Sequence, residues 1–97
     1  MSIKLLSIVA ITSSVFFISG LSTSQAADPG FCQQYANAAL NQVRGGSSNP
    51  NCAGGLRGAR WSPDYGVHYG WCMGASFAAA GAERDARTRY LKACTGQ

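Results

Sequence analysis

The sequence predicts an all-α protein: a small disulfide-stapled helical domain of two or three helices with a long Gly-rich loop, following a cleaved signal peptide. Three observations predict it. An apolar run from Leu5 to Leu21 follows Lys4 and gives way to Ser22-Thr23-Ser24-Gln25-Ala26-Ala27. Four cysteines, Cys32, Cys52, Cys72 and Cys94, all lie beyond that run. Between them, apolar residues recur with the period of a helix rather than a strand.

The first 26 residues have the charged, apolar and small-residue regions of a secretory signal peptide. Ser24 and Ala26 fit the cleavage positions, which places the cut after Ala26, with Ala27 as second choice. As a retained anchor the run is short and interrupted, since a membrane span needs about 20 apolar residues. Residues 27–97 then form one domain whose apolar core alone is marginal. Without Lys4 the chain keeps seven Lys and Arg against four Asp and Glu, a net charge of +3. These charges are scattered and form no nucleic-acid patch.

An even cysteine count in a short exported chain reads as two disulfides in a periplasmic or secreted protein. No Cys-x2-Cys pair points to a metal, and no motif calls for a cofactor.

Asp28-Pro29 suits the start of a helix, Asp as cap and Pro in the first turn. Cys32, Tyr35, Ala36, Ala39, Leu40 and Val43 then mark one buried face, and Gly45-Gly46 is expected to end the helix. Residues 45–60, rich in Gly, Ser and Asn, read as a loop tethered at Cys52. Ser62-Pro63-Asp64 starts a second helix by the same capping logic. Gly66, Gly70 and Gly74 lie four apart and predict a smooth face for close backbone approach. Nothing near Gly81 resembles helix punctuation, so one long helix from Pro63 to about Ala93 is preferred over a hairpin broken at Gly81. Glu83 with Arg87, and Asp85 with Arg89, are spaced for helix-surface ion pairs.

That choice of helix constrains the disulfides. Along one helix, Cys72 and Cys94 would be roughly 33 Å apart and could not pair. The nested set Cys32–Cys94 and Cys52–Cys72 is then preferred, whereas a hairpin gives Cys32–Cys72 and Cys52–Cys94.

His68, Trp71 and Cys72 form the one cluster with the look of a site. A cysteine committed to a disulfide is no nucleophile, and no acidic pair or hydrolase motif is present, so the expectation is a protein without enzymatic activity. Trp71 is expected to cover a disulfide. The candidate binding residues are Arg57, Arg60, Trp61, Tyr65 and Tyr69, an aromatic and basic set richer than a small core needs, with Trp61 and Tyr69 exposed.

Phe31-Cys32-x2-Tyr35-Ala36, Cys52, Trp61-Ser62-x-Asp64, His68-x2-Trp71-Cys72 and Glu83-x3-Arg87-x3-Leu91-x2-Cys94 together resemble a family of small, uncharacterised exported bacterial four-cysteine proteins. The resemblance spans nearly all of the mature chain. It implies export and disulfides and brings no activity with it. The expected function is binding of a partner: a protein, an envelope glycan or a second copy. A cationic membrane-active effector is the alternative.

Overall fold

The computed structural model describes residues 26–96, so the expected signal peptide, apart from Ala26, lies outside the described residues. Four helices fold around two disulfides: α1 (Pro29–Ser47), α2 (Pro50–Ala53), α3 (Tyr65–Met73) and α4 (Phe77–Thr95), with a 3₁₀ turn at Ala59–Trp61 between α2 and α3. The helices α1, α3 and α4 make the body of the domain, and α2 packs against α1 and α4.

Helix α1 begins as its sequence dictates. The Asp28 carboxylate accepts a hydrogen bond from the Phe31 amide at 2.8 Å, and Cys32, Tyr35, Ala36, Ala39 and Val43 form its buried face. It runs past the expected stop, because Gly46 is a packing residue rather than a left-handed cap. A Cβ there would lie 3.0 Å from Leu56 Cδ1 and 3.1 Å from Leu91 Cδ2. The loop that follows contains a single helical turn, α2, with Asn49 as cap and Pro50 in the first position.

The long second helix is not formed. It is two helices, and the break falls at Gly74–Ser76 rather than at Gly81, which lies inside α4. Ser76 is the capping residue: its hydroxyl accepts from the Ala79 amide at 3.0 Å. The exposed backbone of the turn is engaged from outside, the Ala27 amide donating to the Ala75 carbonyl at 2.9 Å.

The turn between α3 and α4 overturns the nested pairing. Cys32 bonds to Cys72, tying α1 to α3, and Cys52 bonds to Cys94, tying α2 to α4. Each closes a loop of 40 or more residues, worth about 4 kcal/mol in the chain-entropy account. With no free cysteine among the described residues, the chain suits an oxidising, extracytoplasmic environment.

The core is small. Ala27, Cys32, Tyr35, Cys72 and Ala80 cluster at its centre, with Phe31 and Tyr69 packed against them. The predicted glycine face is absent: added Cβ atoms at Gly66, Gly70 and Gly74 would meet no other element. Close approach occurs instead at Gly55, where a Cβ would run into the Tyr90 ring.

Candidate functional site

The largest fully buried side chain in the domain is Arg87, on α4. It lies seven residues after buried Ala80 and seven before Cys94, on the inner stripe of the helix. Burying a cation is costly unless it is paired, and its three partners come from two elements, α1 and the 3₁₀ turn. Its Nε donates to Gln42 Oε1 on α1 at 2.7 Å. Its Nη1 reaches the Arg60 carbonyl in the 3₁₀ turn at 3.4 Å. The guanidinium carbon stands 5.1 Å from the centroid of the Tyr35 ring, a cation–π contact. Nη2 has no partner.

Gln42 is held in turn, its amide nitrogen donating to Thr88 Oγ1 at 3.0 Å. That donor fixes the orientation of the amide, leaving its oxygen for Arg87.

Arg87 helps to line a cavity of about 90 Å³ that draws on α1, the 3₁₀ turn, α3 and α4. Its polar wall is Arg60, His68, Glu83 and Arg87; Tyr35, Ala59, Val67 and Trp71 supply the rest. Trp71 is 45% exposed and leans on Tyr35, ring centroids 5.6 Å apart. Buried His68 points its Nε2 at the Ser62 carbonyl at 2.7 Å. A carbonyl only accepts, so that nitrogen carries the proton.

Glu83 and Arg87 do not pair along α4. Glu83 is taken by Arg60 in a two-pronged contact, Nε to Oε2 at 2.7 Å and Nη2 to Oε1 at 3.1 Å. The Arg60 hydrogen bond holds the Glu83 carboxyl below the usual carboxylate range, and the same bond raises Arg60. That contact is the one ion pair among the described residues, so Asp85 and Arg89 are unpaired as well.

No family model, curated protein or solved structure matches this chain.

Of the five candidate binding residues named from sequence, only Arg60 lines the cavity, whereas His68 and Trp71 of the site-like cluster both do. Arg57 turns back on its own loop, Nε donating to the Gly54 carbonyl at 3.2 Å. Tyr65 and Tyr69 stack on each other with centroids 5.9 Å apart. The two tryptophans exchange their expected roles. Trp61 is buried, 7% exposed and packed on Tyr90, while Trp71 stands at the surface. Sequence reasoning noticed His68 and Trp71 as a cluster but took Arg87 for a surface residue. The spacing Ala80, Arg87, Cys94 was the available signal for burial.

Cys72 is in a disulfide, and among the described residues no three His, Cys, Asp or Glu side chains are grouped to hold a metal.

Proposed function

We propose that the protein is a periplasmic or secreted, non-catalytic binding protein that holds a small group of its partner in the cavity beside Arg87. A cavity of about 90 Å³ with Arg60, His68 and Glu83 on its polar wall and half-exposed Trp71 beside it carries this reading. A terminal group of an envelope protein, or part of one unit of an envelope glycan, is of the size of this space. Export fits the two disulfides and the resemblance to exported four-cysteine proteins. Cleavage after Ala26 keeps buried Ala27 in the domain, and the mass of the recovered protein tests this.

A fragment panel of neutral, cationic, anionic and sugar compounds, followed by NMR at the Trp71 indole and the His68 ring, tests the binding reading. Saturable shifts in the native protein that vanish when Val67→Trp blocks the cavity support it. If no class of fragment shifts these signals, the cavity is only a packing feature and the reading fails.

One observation favours a second reading. Tyr65, Val67, Trp71, Met73 and Phe77, the exposed large apolar side chains among the described residues, all fall within residues 65–77. Such a surface on a basic chain suits contact with anionic membranes. No helix of the described residues is long and apolar enough to cross a bilayer, so the contact would be superficial. Dye leakage from anionic vesicles at low micromolar protein supports this reading, and intact vesicles remove it.

A further inference from the structure

We propose that the Ala26–Ala27 bond is a processing site open only before folding, and that the ammonium left on Ala27 then clips the turn between α3 and α4; this rests on reading residues 1–26 as a cleaved leader. Folding uses both residues at that bond. Ala26 forms an antiparallel bridge with Ser76, and the Ala27 amide donates to the Ala75 carbonyl at 2.9 Å. The Ala27 side chain is 4% exposed and belongs to the core cluster with Cys32, Cys72 and Ala80. A peptidase takes the residues on either side of its bond as free extended chain, pairing their backbone and seating their side chains in its own cleft. Here the backbone is already paired and one side chain is in the core, so cutting the folded chain requires the segment to be lifted off first. The Cys32–Cys72 disulfide opposes that, since Cys32 is five residues after Ala27 and Cys72 three before Ala75.

Hydrolysis by a leader-removing peptidase adds water across the Ala26–Ala27 amide, leaving a carboxylate on Ala26 and an ammonium on Ala27. The Ala27 nitrogen remains a donor, so its bond to the Ala75 carbonyl is open to the processed chain as well. The new charge is well placed. Ala75 lies just beyond Met73, the last residue of α3, where the carbonyl end of a helix favours a cation. The same charge stands near the start of α1, which disfavours cations, and there the Asp28 carboxylate that caps the helix offsets it. With Ser76 capping α4, the processed end then joins α1 to the turn on which the fold of α3 against α4 depends. Cleavage therefore precedes formation of the Cys32–Cys72 bond, and docking of the new end follows it.

Two peptidases test it. The oxidised full chain, in mild detergent, is treated with an elastase-type endopeptidase, whose pocket takes small residues. Mass spectrometry times the cut between Ala26 and Ala27 against the same cut in a synthetic peptide of residues 22–31, which cannot fold. The bond is expected to be cut at least tenfold more slowly in the full chain. Processed protein recovered from a periplasmic fraction is then treated with a broad-specificity aminopeptidase. Release of Ala27 is timed against a peptide of residues 27–31, again with at least tenfold protection expected. Less protection than that in either assay overturns the inference, because the segment then stands free in the folded domain. The mass of the recovered protein judges the leader separately. A form that still begins at Met1 removes the leader reading and the processing site with it, whatever protection the endopeptidase assay finds. A protein that begins at Ala27 but loses it as fast as the peptide keeps the leader reading and removes the clip.

Discussion

Replacing Gln42 with leucine tests whether Arg87 is held as a charge at the centre of the fold. The Nε–Gln42 contact at 2.7 Å is the one short hydrogen bond of the guanidinium, since the Arg60 carbonyl is 3.4 Å away. Hydrogen bonds to charged groups contribute about 1.5–3 kcal/mol, and leucine is close to glutamine in volume, so no large cavity adds to the loss. Thr88 also loses its Gln42 partner. The expected destabilisation is about 2–4 kcal/mol, a large share of the roughly 4–10 kcal/mol typical of a domain this size. Urea unfolding of the oxidised protein, read by far-ultraviolet circular dichroism, measures it. With a slope of about 1 kcal/mol/M, the midpoint should fall by about 2–4 M. Arg87→Met and the double variant complete a cycle. Once the charge is gone, the introduced leucine faces methionine, so the double variant should be more stable than the two single losses predict, by at least ~1.5 kcal/mol. A Gln42→Leu loss under about 0.5 kcal/mol, or a cycle additive within about 0.5 kcal/mol, refutes a buried, hydrogen-bonded cation.

Gly55→Ala places a Cβ against the Tyr90 ring, 2.9 Å from Cζ, and so displaces the hydroxyl that donates to the Cys52 carbonyl at 2.7 Å. Thermal melting should register a loss of about 1–3 kcal/mol, and an unchanged midpoint would contradict the packing. Non-reducing peptide mapping should yield Cys32–Cys72 and Cys52–Cys94 peptides, and a Cys52–Cys72 peptide would reject the helical break. Because the Glu83 carboxyl is depressed by its bond to Arg60, the stability it contributes is present above the unfolded value of about 4.3 and is lost as pH falls through the folded one. Arg60 is half exposed, so the contribution is at most about 1 kcal/mol. Glu83→Gln should flatten that part of the acid-side stability curve, and identical curves for both proteins would remove the pair from the account.

The helical class, the α1 stripe and the capping of α1 were legible because each depends on neighbours in sequence, Asp28 on Phe31; α3, expected from Pro63, starts at Tyr65, because Asp64 is the residue that accepts from the Gly66 amide. The break before α4 was missed through one short signal. Ser76 caps the helix as a lone polar residue, and alanines on both sides sustain a helical pattern across the turn. The turn is stabilised by a residue nearly fifty positions away, Ala27 donating to Ala75, which local patterns do not report. From that one error the wrong disulfide pairing followed. The site was legible only in part for a related reason. Tryptophan burial depends on which helix arrives opposite: α4 brings Tyr90 against Trp61, while Trp71 meets only the flank of Tyr35.

Arg87 belongs both to the buried interior and to the candidate site for a physical reason. The inward faces of α1 and α4 carry Ala36, Ala39 and Ala80, and the two disulfides occupy much of the remaining centre. Such small groups leave volume between helices whose ends are fixed by covalent bonds. The stem of Arg87 fills part of it, but the head then requires acceptors where backbone carbonyls are already engaged in helices. Gln42, the Arg60 carbonyl and the Tyr35 face satisfy most of that requirement and leave Nη2 over. That leftover donor costs the fold about 1–3 kcal/mol, so Arg87→Met, harmful alone because it strands the Gln42 oxygen, should recover stability when Gln42→Leu removes the stranded partner as well.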